Sequence, residues 1–368
     1  MRSRLIRFLA VAGLLLAYTA YKINQVWPGH PFLAVGLSIL VFFLMLGGTF
    51  ISRANEWVFA TAWFHVLAWT GSLIMGTWAT FFLLSVPVDI LHLFTATPQP
   101  LYIVILGLSL AMAAIGFLTV KLGPQVVEVN TPMENLPEDL RGLKLVQLSD
   151  LHVGPTVRKA YVENMVTKTL ALDPDFIFLT GDFADAQASA ITEHLEPLRN
   201  LRAKYGVYYV TGNHEYYWGA QALIDKMSEL GFIPLINGNR VVRIGQAKVL
   251  VAGVTDPMGT HTYAGHRPDI AQAFKSEEDT QLKILLAHRP DAFHEAEPLG
   301  FNLQFSGHTH SGQFFPFSLL IGLAHKYYRG LHRHGRMWLY VNPGTGYWGP
   351  ANRFGVRAEI TRLILTNT

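Results

Sequence analysis

Eight polar side chains that suit metal binding follow short apolar runs in the second half of the chain. The runs cover 143–148, 175–179, 207–210, 282–286 and 301–305, and their branched and aromatic residues are typical of buried strands. Ligand sites in open α/β sheets form outside the carboxyl ends of the strands, so these side chains are predicted to meet at one site. They are Asp150, His152, Asp182, Asn213, His214, His288, His308 and His310.

These donor types indicate divalent ions such as Mn, Fe or Zn, which accept imidazole nitrogen and carboxylate oxygen. The chain has no cysteine, so thiolate sites are excluded. One ion could be held by Asp150, His152, Asp182 and His310, and a second by Asp182, Asn213, His288 and His308. Two dications with two carboxylates leave a positive site that favours a phosphate oxyanion. His214 is predicted to act as the general acid beside it.

Other polar and aromatic residues near the predicted site are expected to orient its ligands or to have ordinary structural and surface roles. Asp185 or Glu215 is a candidate for orienting a ligand histidine. His325, Arg329 and Arg333 could contact a phosphate, although a solvated basic face explains them equally well. Tyr347 and Trp348 are expected to belong to a packed loop. The histidines that match no motif are expected at the surface or on cleft walls: His261, His266, His294, His325, His332 and His334.

The elements that must position these residues form an α/β domain. Helical spacing over 157–172, 191–203 and 218–230 predicts helices that cover the sheet. Gly181, Gly212 and Gly307 immediately precede predicted site residues, where a tight turn or a close backbone approach favours a residue without a Cβ.

The first 120 residues differ sharply from this domain in charge. They contain seven charged side chains, whereas the remaining 248 residues contain 48. Apolar stretches at 8–21 with its flanks, 31–51 and 101–120 are long enough to span a membrane. The uncharged stretch 57–86 would make a helix longer than the hydrocarbon core, so it is expected to tilt, protrude or break near 71–76. The predicted organisation is about four transmembrane spans over 1–120, a linker and first edge strand over 121–142, and a soluble domain over 143–368.

Basic residues predict the orientation of these spans. Arg2, Arg4 and Arg7 precede the first span, and Lys121 follows the last. With four spans, the positive-inside rule places both termini and the soluble domain in the cytoplasm, at an inner or plasma membrane. Lys22, read as part of the first loop, is an exception, and a fifth span would place the domain outside. The net charge of +3 is too small and dispersed to predict a nucleic-acid partner.

The order of the polar blocks resembles the calcineurin-like metallophosphoesterase superfamily. The blocks read Ser149-Asp150-Leu151-His152, Gly181-Asp182, Gly212-Asn213-His214-Glu215, Ala287-His288 and Gly307-His308-Thr309-His310. The extended last block to Gln313, Tyr216-Tyr217 and the ending from Asn342 through Arg353 are similar to the membrane-associated branch called YkuE-like or YaeI-like. The resemblance covers about 125–368 and implies a four-layer α-β-β-α sandwich with the ligand sets given above.

The expected function is therefore that of a membrane-anchored binuclear phosphoesterase. It would hydrolyse a phosphoester or pyrophosphate bond by direct attack of a metal-bridging hydroxide. The branch resemblance suggests a lipid-linked substrate such as UDP-2,3-diacylglucosamine, so the expected partners are the lipid bilayer and a phosphorylated lipid or small molecule. A phosphodiesterase for soluble substrates and a non-catalytic membrane scaffold that retains the metal fold are the alternatives.

Overall fold

The computed structural model describes residues 2–54, 61–95 and 99–367, and the chain divides into two compact units. One unit comprises Met1–Phe117 and Gly349–Asn352, and the other comprises Leu118–Trp348 and Arg353–Thr368.

Long apolar helices make up the first unit. They are α1 (Arg2–Val26), α2 (Pro31–Ala54), α3 (Ala62–His92) and α4 (Gln99–Lys121). Among the described residues, α3 and α4 are long and apolar enough to cross a membrane. Of the three alternatives for the stretch 57–86, the break near 71–76 does not occur, because α3 is one continuous helix of 31 residues. Gly71 instead permits close packing of two helices, since a Cβ there would lie 2.2 Å from the Leu44 carbonyl oxygen of α2.

A buried ion pair connects two of these helices. The Lys22 ammonium, only 2 % exposed, contacts the Asp89 carboxylate, which also accepts the hydroxyls of Tyr18 and, at 3.0 Å, Tyr102. The expectation that Lys22 lies in a loop is wrong: Lys22 is within α1, and its partner Asp89 is within α3. The pairing joins residues 67 positions apart, a separation at which local sequence patterns carry no signal.

Two six-stranded sheets form the second unit within the described residues. The first has the order β1-β12-β2-β3-β4-β5 and the second β10-β11-β9-β8-β7-β6. In chain order, the strands are β1 (Gln125–Met133), β2 (Lys144–Leu148), β3 (Phe176–Thr180), β4 (Val207–Val210), β5 (Ile233–Pro234), β6 (Gly238–Ile244), β7 (Ala247–Gly253), β8 (Leu282–Leu286), β9 (Leu303–Ser306), β10 (Gly330–His334), β11 (Met337–Val341) and β12 (Glu359–Asn367).

Short helices connect these strands. They are α5 (Lys159–Leu170), α6 (Ala188–Leu195), α7 (Asn213–Trp218), α8 (Ala220–Glu229), α9 (Ile270–Phe274), α10 (Phe293–Leu299) and α11 (Ile321–Ala324). The helix predicted over 191–203 ends at Leu195 and continues as a 3₁₀ turn, Glu196–Asn200. Pro197 near the start of that turn has no amide hydrogen to extend the α-helical hydrogen bonding.

The two sheets share one apolar core. Phe178 of β3 packs against Phe305 of β9, with ring centroids 5.0 Å apart, and both side chains are fully buried. The Gln147 amide of β2 donates to the Ser306 carbonyl at 2.9 Å, which links the sheets by a hydrogen bond as well. Strands β2, β3 and β4 are parallel, as are β8 and β9. The α/β class predicted from the sequence is therefore confirmed.

We expect Asp89→Ala to destabilise the helical unit, because it leaves the Lys22 ammonium buried without its carboxylate. Removing one partner of a buried pair costs about 3–5 kcal/mol. The apparent Tm of the full chain in detergent should fall clearly, whereas the double variant Lys22→Met, Asp89→Leu should recover much of the loss. Equal losses in the single and double variants would contradict an uncompensated charge as the cause.

Candidate metal centre

The predicted site residues lie directly after the carboxyl ends of β2, β3, β4, β8 and β9. Five of them have a left-handed backbone conformation, with φ between 47° and 69°. Such angles are uncommon for residues other than glycine, and they persist only where the surrounding structure holds them. Two backbone hydrogen bonds help to fix this conformation. The Asp150 amide donates to the Gly181 carbonyl at 2.9 Å, and the His152 amide donates to the Asp182 carbonyl at 3.0 Å. The five residues are Asp150, His152, Asp182, His308 and His310.

Glycines make room for the carboxylates of the site. A Cβ at Gly212 would lie 2.2 Å from Asp182 Oδ1, and a Cβ at Gly307 would lie 2.1 Å from Asp150 Oδ2. No side chain fits at those distances, so these positions require glycine. The close approach expected from the sequence therefore exists. At Gly212 the nearest atom is a carboxylate oxygen, and at Gly307 the Ser149 hydroxyl lies as close as the carboxylate, at 2.0 Å.

One cluster of potential ligands comprises Asp150, His152 and His310. His152 Nε2 lies 3.0 Å from His310 Nε2, and His310 Nε2 lies 3.4 Å from Asp150 Oδ1. All three side chains are buried. Burial raises the pKa of Asp150, and burial together with the nearby His152 and Arg353 holds the pKa of His310 well below its usual value. A neutral imidazole is the form that binds a metal ion.

A second cluster comprises Asp182, His288 and His308. His288 Nε2 lies 3.1 Å from Asp182 Oδ2 and 3.2 Å from His308 Nδ1. His288 Nδ1 lies 2.8 Å from the Thr180 carbonyl oxygen, so it donates there and leaves Nε2 facing the cluster. Burial and the neighbouring His288 lower the pKa of His308 to about 2. Burial also lowers the pKa of His288, but Asp182 outweighs this effect and raises it to about 10.

Asn213 provides an independent test of whether these residues fit a metal ion. Its side chain is buried, and its Oδ1 has no hydrogen-bond partner within the described part of the chain. An unpaired buried carbonyl oxygen is costly and calls for an explanation such as an ion. Asn213 belongs to the predicted second ligand set, so the donor set fits a divalent cation at this cluster.

Asp182 lies between the two clusters. Its Oδ2 is 3.1 Å from His288 Nε2 and 4.0 Å from His152 Nε2. Burial would raise the pKa of Asp182, but its interactions with His288, His214 and His152 outweigh burial and keep the pKa well below the usual value. The Asp182 carboxylate therefore remains ionised.

Asp185 contacts two predicted site histidines at once. Its Oδ1 lies 3.1 Å from His152 Nδ1 and 2.5 Å from His214 Nδ1. This directs His214 Nε2 toward the centre, 4.0 Å from Asp182 Oδ2. Burial lowers the pKa of His214, but Asp185 outweighs it and raises the pKa to about 9. His152, Asp185 and His214 are also close enough to form a third potential metal cluster.

Glu215 has a different role from the one considered in the sequence. Its fully buried carboxylate accepts backbone amides from Asp182 at 3.0 Å, Phe183 at 2.7 Å and Gly212 at 2.6 Å. It therefore joins the turns after β3 and β4, and these three partners are backbone amides and not histidine rings. Sequence alone could not separate it from Asp185, because both are carboxylates close to site residues.

Arg353 was noted in the sequence only as part of a motif, without a role. It is 1 % exposed and donates to the carbonyls of Pro343, at 2.7 Å, and Gly346, at 3.1 Å, while its Nη2 lies 3.3 Å from His310 Nδ1. It supports the loop behind His310. The only sequence signal was a basic residue within a Gly- and Pro-rich segment.

Exposed aromatic residues flank His214. The Tyr217 and Trp348 rings lie 5.1 and 5.8 Å from the His214 ring, and both are about half exposed. Tyr347 is packed as expected, but the packed position expected for Trp348 is wrong. His325 lies near the centre as well, with its ring 5.9 Å from that of His308.

We expect Glu215→Ala to unfold more readily, because three buried amides lose their acceptor. The free energy of unfolding should fall by at least about 3 kcal/mol, since each of the three amides left unsatisfied costs about 1–3 kcal/mol. Glu229→Ala is the matched control, since this exposed carboxylate pairs with Lys226 and Arg199 at the surface, where ion pairs contribute little to stability, and it should cost much less. Denaturant titration of the full chain in detergent would measure both, and equal losses would contradict the role of Glu215.

Known proteins resemble this chain over the region that contains the five polar blocks. Residues 143–312 match the calcineurin-like phosphoesterase family. A transmembrane protein with metallophosphoesterase domain from Danio rerio is 35% identical over 266 residues, covering 70% of this chain and 61% of that protein. An uncharacterized metallophosphoesterase of Aquifex aeolicus is 32% identical over 230 residues, covering 60% of this chain and 83% of that protein. The uncharacterized metallophosphoesterase YkuE of Bacillus subtilis is 29% identical over 242 residues, with coverages of 63% and 82%.

The chain spans about three fifths of the length of the transmembrane relatives from Danio rerio and Bos taurus. All five polar blocks lie within residues 143–312, in the order met in the sequence. By these similarities, the chain belongs to the calcineurin-like metallophosphoesterase family.

Proposed function

We propose that the protein is a membrane-anchored phosphoesterase that works with two divalent metal ions. The observation that carries this proposal is the pair of buried clusters on either side of Asp182, in which ring nitrogens face each other at 3.0 and 3.2 Å. Ring nitrogens at these distances are close enough to bind one cation together, as well as to share a hydrogen bond, and each pair lies within a group of side chains that could hold a metal ion. The family supports phosphoester chemistry, and the two six-stranded sheets, which share one core, support the four-layer sandwich that the resemblance implies.

The proposed ligand sets share Asp182 and follow the two clusters. Asp150, His152, Asp182 and His310 would hold one ion. Asp182, Asn213, His288 and His308 would hold the other. Mn, Fe and Zn all accept this donor set of imidazole nitrogen and carboxylate or amide oxygen. Ions bound there would activate a water molecule and polarise the phosphoryl oxygens.

The chain's own residues would complete the reaction. Asp185 fixes the His214 ring through Nδ1, and the Nε2–H of protonated His214 faces the centre, where it can donate a proton to the departing alkoxide. Tyr217 and Trp348, exposed on either side of that ring, would contact the leaving group. His214 is thus the proposed catalytic acid and Asp185 its positioning residue.

The membrane context favours a lipid-linked phosphate as substrate. Helices α3 and α4 meet the length and composition of membrane spans, and relatives carry the name transmembrane protein. A tethered centre meets lipid headgroups at high local concentration. We propose a lipid-linked phosphoester or pyrophosphate such as UDP-2,3-diacylglucosamine, with the enzyme domain cytoplasmic by the positive-inside rule. Soluble phosphodiesters are the alternative substrates.

We expect Asn213→Ala to bind one divalent ion fewer than the parent protein, because only the second ligand set contains Asn213. Elemental analysis of manganese-loaded, desalted protein would measure this. Gln221→Ala, an exposed change on α8, is the control and should retain both ions. A parent protein that binds fewer than two ions would contradict the binuclear proposal.

We expect His214→Ala to retain its metal content and to lose turnover by a factor of about 10²–10⁴, the usual contribution of a general acid. Activity with manganese should be measured on bis(p-nitrophenyl) phosphate and on UDP-2,3-diacylglucosamine in mixed micelles. Unchanged turnover would contradict the acid role, and loss of metal would assign His214 to the third cluster instead.

The same assay separates the alternatives. Turnover of soluble diesters alone would remove the lipid-linked substrate. A metal-loaded parent protein without turnover on either substrate would favour the non-catalytic scaffold.

A further inference from the structure

Exposed apolar side chains in the second unit are concentrated in a few places. Among the described residues, Leu118, Leu122 and Val126 lie at the end of α4 and the start of β1, where the chain leaves an apolar helix. The other large exposed apolar residues are Tyr217 and Trp348, beside His214, and four residues of the segment that follows His310 in the chain: Phe317, Leu319, Leu320 and Leu323. Clustered exposure of this kind marks an interaction surface.

Four of these residues belong to one short segment, 317–324, which we call the apolar segment. It reads Phe-Ser-Leu-Leu-Ile-Gly-Leu-Ala and forms a 3₁₀ turn, Phe317–Leu319, followed by α11. Leu319 is 68 % exposed and Leu323 is 87 % exposed. Its side chains contribute little to the core, so protein folding does not account for this composition.

The apolar segment is anchored beside the metal centre at both ends. At its start, Gly312 lies so close that a Cβ there would be 2.6 Å from Ser318 Cα. Past its end, the Thr309 hydroxyl donates to the Tyr328 carbonyl at 2.7 Å, and His325 faces His308. Thr309 lies between the predicted ligands His308 and His310. The segment therefore protrudes from the same loop that carries those ligands.

The charged side chains next to the apolar segment in the sequence are of one sign. Residues 298–358 contain no aspartate or glutamate but six lysine and arginine residues, of which Arg353 is buried and Arg333 pairs with Glu134. Lys326 and Arg329 follow the segment directly and are exposed. Apolar residues bordered by basic ones are typical of segments that lie in the interface of a membrane with anionic lipids.

We propose that the apolar segment inserts into the surface of an anionic lipid bilayer. Leu319, Leu320 and Leu323 enter the boundary between headgroups and acyl chains, and Lys326 and Arg329 contact the headgroups. A bilayer fits better than a second copy of the chain, because a second copy presents the same positive charge. The metal centre is thereby held at the depth of lipid phosphates, which deepens the proposed function toward substrates that remain in the membrane.

The absence of native cysteine allows a depth measurement that requires no enzymatic activity. Leu323→Cys and the control Gln221→Cys, an exposed polar position on α8, would be labelled with the fluorophore NBD in the full chain. The proteins would be reconstituted in vesicles of phosphatidylcholine and phosphatidylglycerol, with and without lipids that carry a nitroxide near the headgroup end of the acyl chain. We expect the label at 323 to lose about half of its emission and the label at 221 to change little.

Two results would overturn the proposal. One is equal quenching at positions 323 and 221. The other is a label at 323 that is shielded from water, with blue-shifted emission, but is not quenched by lipid nitroxide, which would point to contact between copies. Vesicles of phosphatidylcholine alone should give weaker quenching at 323, because Lys326 and Arg329 then lack anionic headgroups. The readout involves no hydrolysis, so it succeeds or fails independently of the proposed phosphoesterase activity.

Discussion

The ionised Asp182 carboxylate is the charge around which the rest of the centre is arranged. It is 2 % exposed, its Oδ1 accepts the His214 amide at 2.7 Å, and its Oδ2 faces His288 at 3.1 Å. A buried carboxylate costs several kcal/mol unless cations and donors surround it. The turn after β4 and the loop after β8 both reach the end of β3, where the His214 amide and the His288 ring contact this charge.

Crowding around this charge explains the local backbone. Carboxylate oxygens lie so close to Gly212 and Gly307 that a Cβ at either position would collide with them. The Glu215 carboxylate accepts hydrogen bonds from three amides that would otherwise be unpaired. Left-handed conformations at five site residues cost about 1–3 kcal/mol each. Such strain persists because the parallel strands beneath it are held by a fully buried core and by the Gln147 bond between the sheets.

The proposed lipid-linked substrate and the proposed membrane insertion of the apolar segment both depend on the depth at which a phosphate lies in a membrane surface. The first unit supplies apolar helices, and the second supplies an apolar segment flanked by Lys326 and Arg329 beside its metal-ligand candidates. A phosphate that belongs to a lipid lies at the boundary that both features would occupy. Tyr217 and Trp348, the two aromatic residues next to His214, add exposed apolar surface beside the same centre.

The sequence by itself determined the class of fold, the strand ends and the donor types, because these depend on local periodicity and on residues next to each other in the chain. Strands β4 and β8 begin and end where the sequence predicted. Only the tertiary structure distinguished Asp185 from Glu215, paired Lys22 with Asp89, continued α3 past Gly71 and placed Arg353 behind His310. Each of these depends on contacts between distant parts of the chain, where burial strengthens a charge or hydrogen bond that no local pattern encodes.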